Sequence, residues 1–279
     1  MAYSNPNYRP NGKGREILAR AWAHVQAVPY KVTLRWLYYR LYQEGFYPDK
    51  VRGYKNFIKL MSRARHSFYE DWEPDTLADD TNEVIPRGGG YDSAEEWAKA
   101  VAERGSCSLH RWEGQEQYVE VWFEARAMIS QFRYLTHDVK LCPLGGQPSI
   151  PFKWELAEGL GEASALYDLP IVVLYFGDLD WGGEQIGETV EQDVRKWADV
   201  DFDFVRAALN AGDEVRYGLP ENPEKPGQYQ WEAVDHETAS TIITGAVGAY
   251  IDEDCMGEIV QRENEATQRF RELMRGFAS

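Results

Sequence analysis

Residues Ile171 to Gly177, IVVLYFG, form an unbroken apolar run, and a strand that is apolar on both faces has to be covered on both faces. That demand points to a parallel sheet with helices above and below it. The flanking periodicity agrees. Tyr118 to Glu124 (YVEVWFE) alternates and is rich in strand formers, Ala125 to Tyr134 reads as helix, and Val139 to Leu144 as a second strand ending at Gly145 and Gly146. Phe152 to Leu166 and Glu184 to Trp197 read as helices, with a short strand at Phe204 to Leu209 and one or two helices from His236 onward. Strands alternating with helices predict a doubly wound α/β sheet whose functional groups gather at the carboxyl ends of the strands.

Two acidic groups fall at such ends. Glu124 closes the alternating strand, and Asp178 and Asp180 follow the apolar one in the order Gly177-Asp178-Leu179-Asp180-Trp181-Gly182-Gly183. Three carboxylates there form the donor set that hard Mg²⁺ prefers, with Mn²⁺ able to replace it. The glycines let the backbone turn sharply and leave room for a phosphate near the next helix. Cys107, Cys142 and Cys255 are too scattered for a disulfide framework or a zinc site. His66, His110, His137 and His236 lack metal-ligand spacing. Glu120, four residues before Glu124, is equally consistent with a supporting group and with a solvated edge residue.

The amino-terminal part reads differently. Arg15 to Val28 is helical up to Pro29, Thr33 caps a helix over Leu34 to Glu44, and a third helix runs from about Asp49 to Phe68. Three short helices with a basic third one have the pattern of a helix-turn-helix or winged-helix module. In the third helix Tyr54, Phe57, Ile58 and Met61 share one face, and Lys55, Lys59, Arg63 and His66 share the other, as a helix laid against DNA requires. Charge supports that division. The chain carries −16 overall, yet residues 1 to 70 hold 13 Lys and Arg against 4 Asp and Glu, a net of +9 that leaves −25 for the remaining 209 residues. A basic module and an acidic body fit a polyanionic partner that the body meets only through divalent metal.

Four segments are expected: a helical DNA-binding module (1 to 70), a linker with one helix at Ser93 to Arg104 (71 to 115), a metal-binding core (116 to 200) and a carboxyl-terminal extension packed on that core (201 to 279). Gly88 to Gly90 lack the following Lys-Ser/Thr of a phosphate-binding loop, so no ATPase is expected in the chain. No run reaches the length of a membrane span, and MAYSNPNYRPNGKGRE has no apolar signal region, so the expected setting is the cytoplasm, away from membranes.

The motifs resemble one family in particular. VEVWFEARAM followed by IVVLYFGDLDWGGEQI is similar to the Toprim domain of the topoisomerase VI A-subunit and meiotic double-strand-break transesterase superfamily, above all to its short bacterial, plasmid and phage members. TLRWLYYRLYQEGF, GYKNFIKLMSRARHSFYEDW and YGLPENPEKPGQYQWEAVD resemble the same members in order, so the likeness spans nearly the whole chain. It implies a winged-helix-like module followed by a Toprim domain, with Glu124, Asp178 and Asp180 holding Mg²⁺ or Mn²⁺. It also implies a homodimer in which the tyrosine of one protomer works with the metal of the other, and a separate ATPase for any ATP-driven strand passage. Glu232 matches an acidic position near the family's carboxyl terminus. Two departures stand beside the metal residues: Ala125 and Arg126 follow the glutamate where relatives have Lys first, and Trp181-Gly182 replaces Pro-Ser.

Within Arg35-Trp36-Leu37-Tyr38-Tyr39 the resemblance makes Tyr39 the nucleophile, with Arg35 one turn away to favour the phenolate or clamp a phosphate. A helical projection makes the same choice, with Tyr38 on the core stripe and Tyr39 about 140° from Leu34 on the exposed side. The function implied is metal-dependent DNA strand cleavage through a tyrosyl link. Hydrolysis of DNA by metal-activated water, and DNA binding without turnover, are the alternatives the residues leave open.

Overall fold

The computed structural model describes residues 8–79, 93–136, 139–222 and 225–277. Three helices open it: α1 (Gly12–Gln26), α2 (Leu34–Gln43) and α3 (Lys50–His66). Each start is fixed by a side chain that accepts from the first turn: Asn11 from Gly14 N–H, Thr33 from Trp36 N–H and Asp49 from Arg52 N–H. Helix α4 (Ala94–Arg104) begins the same way at Ser93. Among the described residues no two-stranded wing accompanies these helices; the segment after α3 adds one isolated parallel bridge, Thr33 to Ala78. Gly88 to Gly90 and the rest of the expected linker from residue 80 to residue 92 lie outside the described residues.

The body follows as β1 (Tyr118–Phe123), α5 (Ile129–Leu135), β2 (Lys140–Pro143), α6 (Ile150–Tyr167), β3 (Ile171–Phe176), α7 (Trp181–Trp197) and β4 (Asp203–Ala208). A short α8 (Asp213–Arg216) precedes α9 (His236–Gly248) and the long α10 (Glu253–Phe277). The four strands make one all-parallel sheet in the order β2-β1-β3-β4. The chain leaves β1 toward β2 on one side and returns as β3 on the other, so the carboxyl ends of β1 and β3 flank the point where winding reverses. A crevice opens there in folds of this kind.

Every residue of β1 and β3 is buried, as the apolar run of β3 demands. Helices α6 and α7 are tied together by a shielded ion pair, Lys153 Nζ to Asp193 Oδ2 at 2.6 Å. The core does not stop at the sheet. Leu18, Leu37, Phe57 and Met61 of the first three helices belong to the same continuous apolar cluster as Val119, Phe132, Leu174 and Trp231. Ile58 departs from the expected α3 core face: the buried stripe is Gly53, Phe57, Met61 and Ala64, and Ile58 is exposed. Among the described residues no helix is long and apolar enough to cross a membrane.

Candidate metal and tyrosine site

Register brings the acidic groups together. Phe123 of β1 lies opposite Phe176 of β3, so Glu124 and the Gly177-Asp178 turn leave the sheet side by side, and Glu124 N–H donates to Phe176 O at 2.9 Å. The carboxylate of Glu124 then accepts from Asp178 N–H (3.1 Å). Asp180 caps α7, its Oδ1 accepting from Gly183 N–H at 2.8 Å, so this helix starts at Trp181, three residues before its expected start. Trp181 itself is 74% exposed and packs no core. Gly183 is required for closeness: a Cβ there would collide with the backbone of Asp178 and stand 2.9 Å from Glu124 Oε2.

A second layer of contacts holds this loop, and local spacing carries no sign of it. Leu179 pairs with Tyr229 in an antiparallel bridge, which carries the following residues across the carboxyl end of β3. Trp231 N–H therefore donates to Asp178 Oδ1 at 2.8 Å, and Glu232, only 2% exposed, joins the acidic group. From below, Arg206 on β4 donates to three carbonyls, those of Asp178 (2.6 Å), Gly183 (3.2 Å) and Leu209 (3.2 Å). Tyr175 O–H donates to Gly183 O as well (3.0 Å), with the Arg206 guanidinium over its ring. A charged residue inside a short apolar strand is the only trace Arg206 leaves in the sequence.

Burial and mutual repulsion dominate the electrostatics. The Asp178 carboxyl is pushed well above the usual carboxylate range, first by burial and then by the negative charges of Glu232, Glu124 and Asp180, with the Trp231 N–H opposing. Glu124 is raised by burial and by Asp180 and Glu232, against the Asp178 N–H and Arg206. Among the described residues no three His, Cys, Asp or Glu side chains stand close enough, as placed, to hold a metal ion. The donor chemistry fits one all the same. The group is all oxygen, its charges repel one another, and Glu232 Oε2 is buried with no hydrogen-bond partner among the described residues. Ligation would require these side chains to close on the ion.

The tyrosine lies on the other side of Glu232. Arg35 Nε meets Glu232 Oε1 at 3.1 Å, and the same guanidinium sits 5.9 Å from the Tyr39 ring centre, with Lys50 Nζ over that ring at 4.8 Å. Glu232, more than any other neighbour, strengthens the protonation of Arg35, followed among the attractive charges by Tyr39 and Asp178. Helix α2 is fastened to the same segment, with Arg40 Nη2 donating to Glu232 O (3.0 Å) and Val234 O (3.1 Å) and Gln43 to Ala233 O (3.3 Å), and the first residue of α3 joins it, Lys50 donating to Gln230 Oε1 (2.9 Å). Tyr39 is consequently 8% exposed, which corrects the projection. That projection allowed α2 one buried face, whereas α2 packs against α1 and α3 on one side and against residues 230–234 on another. Tyr38 is the core residue expected, its O–H donating to Lys50 O at 2.7 Å.

The expected basic face of α3 is present, with Lys55, Lys59, Arg63 and His66 all exposed. Glu120 is not part of the site. It is fully buried lower in β1, accepting from Tyr118 O–H (3.0 Å) and Trp122 Nε1–H (2.9 Å) and pairing with Lys140 at 3.0 Å. His236 pairs with the Tyr30 hydroxyl and His110 stacks edge-on against Tyr167, while His137 lies outside the described residues. Compared with protein-family models, with curated proteins and with solved structures, the chain finds no match in any of the three, and what the site does must be sought in its own geometry.

Proposed function

We propose that this chain is a metal-dependent DNA strand-cleaving transesterase, built as a winged-helix-like module on a Toprim-type sheet, with Tyr39 as nucleophile. The observation that carries this reading is the position of Arg35, which touches the acidic group through Glu232 and the tyrosine with the same guanidinium. The Tyr39 oxygen attacks a backbone phosphorus, the bond to the 3′ oxygen breaks, and the phenol proton ends on that departing oxygen, leaving a 5′-phosphotyrosyl link. Arg35 and Lys50, which flank the Tyr39 ring, take up charge on the phosphoryl oxygens. Glu124, Asp178 and Asp180 would hold Mg²⁺ or Mn²⁺, which would supply Lewis-acid stabilisation of the phosphoryl group and the leaving oxygen. Lys55, Lys59, Arg63 and His66 bind the duplex backbone. DNA is the substrate, a homodimer the working unit, and a separate ATPase the partner for any ATP-driven strand passage.

The burial of Tyr39 favours one second reading, hydrolysis by metal-activated water at the same acidic group. Incubation with supercoiled DNA and Mn²⁺, then denaturation and protease treatment, separates the two. A covalent adduct that disappears in Tyr39→Phe supports transesterification, and cleavage that persists in Tyr39→Phe supports hydrolysis. Glu124→Gln should abolish cutting either way; full activity in that variant rejects the metal assignment.

A further inference from the structure

Resting on the metal reading above but going beyond it, we infer that Glu232 is a fourth acidic member of the metal group and that Arg35 and a divalent cation compete for it. Glu232 reaches the cluster from outside the sheet, because the Leu179 to Tyr229 bridge lays residues 229–232 over the end of β3. Its neighbour Trp231 is hydrogen-bonded to Asp178, and its own negative charge bears on both Asp178 and Glu124. The carboxylate is 2% exposed. One oxygen faces Arg35 at 3.1 Å and the other, Oε2, is buried with no hydrogen-bond partner among the described residues. A buried anion left half satisfied is costly, and a cation placed between it and Asp178 relieves both carboxylates at once.

Arg35 differs from its partner in exposure. Its side chain is 52% exposed and reaches inward from α2, so it can withdraw toward solvent without opening the core. Both ions draw on the charge of one carboxylate. Arg35 released from Glu232 still stands on the same helix one turn from Tyr39, where its guanidinium is free to meet a phosphate. Cation binding at the acidic group is in this way coupled to the availability of the guanidinium next to the nucleophile, and the coupling works in both directions.

The test needs neither DNA nor cleavage. Mn²⁺ is titrated into the full chain and free Mn²⁺ is read by electron paramagnetic resonance, for wild type, Arg35→Gln, Glu232→Gln and the double variant, with thermal melting to establish that each is folded. Arg35→Gln should bind Mn²⁺ about 5- to 10-fold more tightly, and Glu232→Gln about tenfold more weakly. In the double variant the gain from removing Arg35 should vanish. Unchanged affinity in Glu232→Gln, or a gain from Arg35→Gln that persists without Glu232, overturns the inference. Should Glu232→Gln fail to fold, Arg35→Lys and Arg35→Gln in the wild-type background still decide it, since Arg35→Lys keeps a competing charge and should stay near wild type. Absence of any Mn²⁺ binding by wild type would instead reject the metal reading on which the inference rests.

Discussion

At the residue scale the site depends on one glycine as much as on its acids. Gly183 lies in the first turn of α7, where Ala would ordinarily be preferred by about 1 kcal/mol, yet its missing Cβ leaves the space that Asp178 backbone and Glu124 Oε2 occupy. Gly183→Ala should therefore destabilise the fold by about 1–3 kcal/mol and weaken Mn²⁺ binding, because the strand end and helix start cannot both keep their places. Gly182→Ala is the matched control. The nearest atom to its added Cβ is a side-chain oxygen, Asp180 Oδ1 at 3.2 Å, so helix propensity should offset the crowding and leave stability near wild type. Urea unfolding of the two variants settles it; equal losses at both positions would mean that glycine flexibility, and not the close approach, is what the turn requires.

At the element scale α2 and α3 divide the work. Helix α2 is bound to the body by Arg35, Arg40 and Gln43, whereas α3, joined to it through Lys50, buries Gly53, Phe57, Met61 and Ala64 and turns Lys55, Lys59 and Arg63 to solvent. Replacing Lys55, Lys59 and Arg63 together by Ala should leave the melting temperature nearly unchanged, since exposed substitutions usually cost little. DNA affinity should fall, and the slope of its logarithm against that of salt concentration should flatten by about 0.9 for each phosphate the protein no longer neutralises. An unchanged salt slope would move the DNA-binding face elsewhere. The α3 face was legible in the sequence because it follows a single 3.6-residue period with one covered side. The strand β3 was legible because burial on both faces leaves it apolar throughout, and β1 through its alternation and its strand-forming residues. Tyr39 was placed wrongly because α2 is covered on two sides, and the second cover, residues 230–234, is almost 200 residues away in the chain. The roles of Arg206 and the Trp231 N–H were not legible: one acts on backbone carbonyls and the other is itself backbone, so neither leaves a side-chain pattern at the site.

At the scale of the whole molecule, a chain of net charge −16 gathers four carboxylates around the carboxyl ends of β1 and β3, and this should show in its stability. Asp178 and Glu124 have folded-state values raised above their unfolded ones, so between the two the native chain holds more protons than the unfolded chain. Stability then falls as pH rises through that interval, the reverse of a salt-bridged carboxylate. General repulsion among the other acids has the same sign, which makes the wild-type curve alone ambiguous. Asp178→Asn isolates the site, since the amide oxygen still accepts from Trp231 N–H while the charge is gone. In a chelator the variant should lose less melting temperature than wild type as pH rises above the ordinary carboxylate range. Added Mg²⁺ should stabilise wild type, by about 2.7 kcal/mol at a hundredfold excess over its Kd, and leave the variant nearly unmoved. Parallel pH curves for the two proteins in chelator would show that Asp178 is neutralised by a partner within the protein, and that the acidic group has no need of a metal.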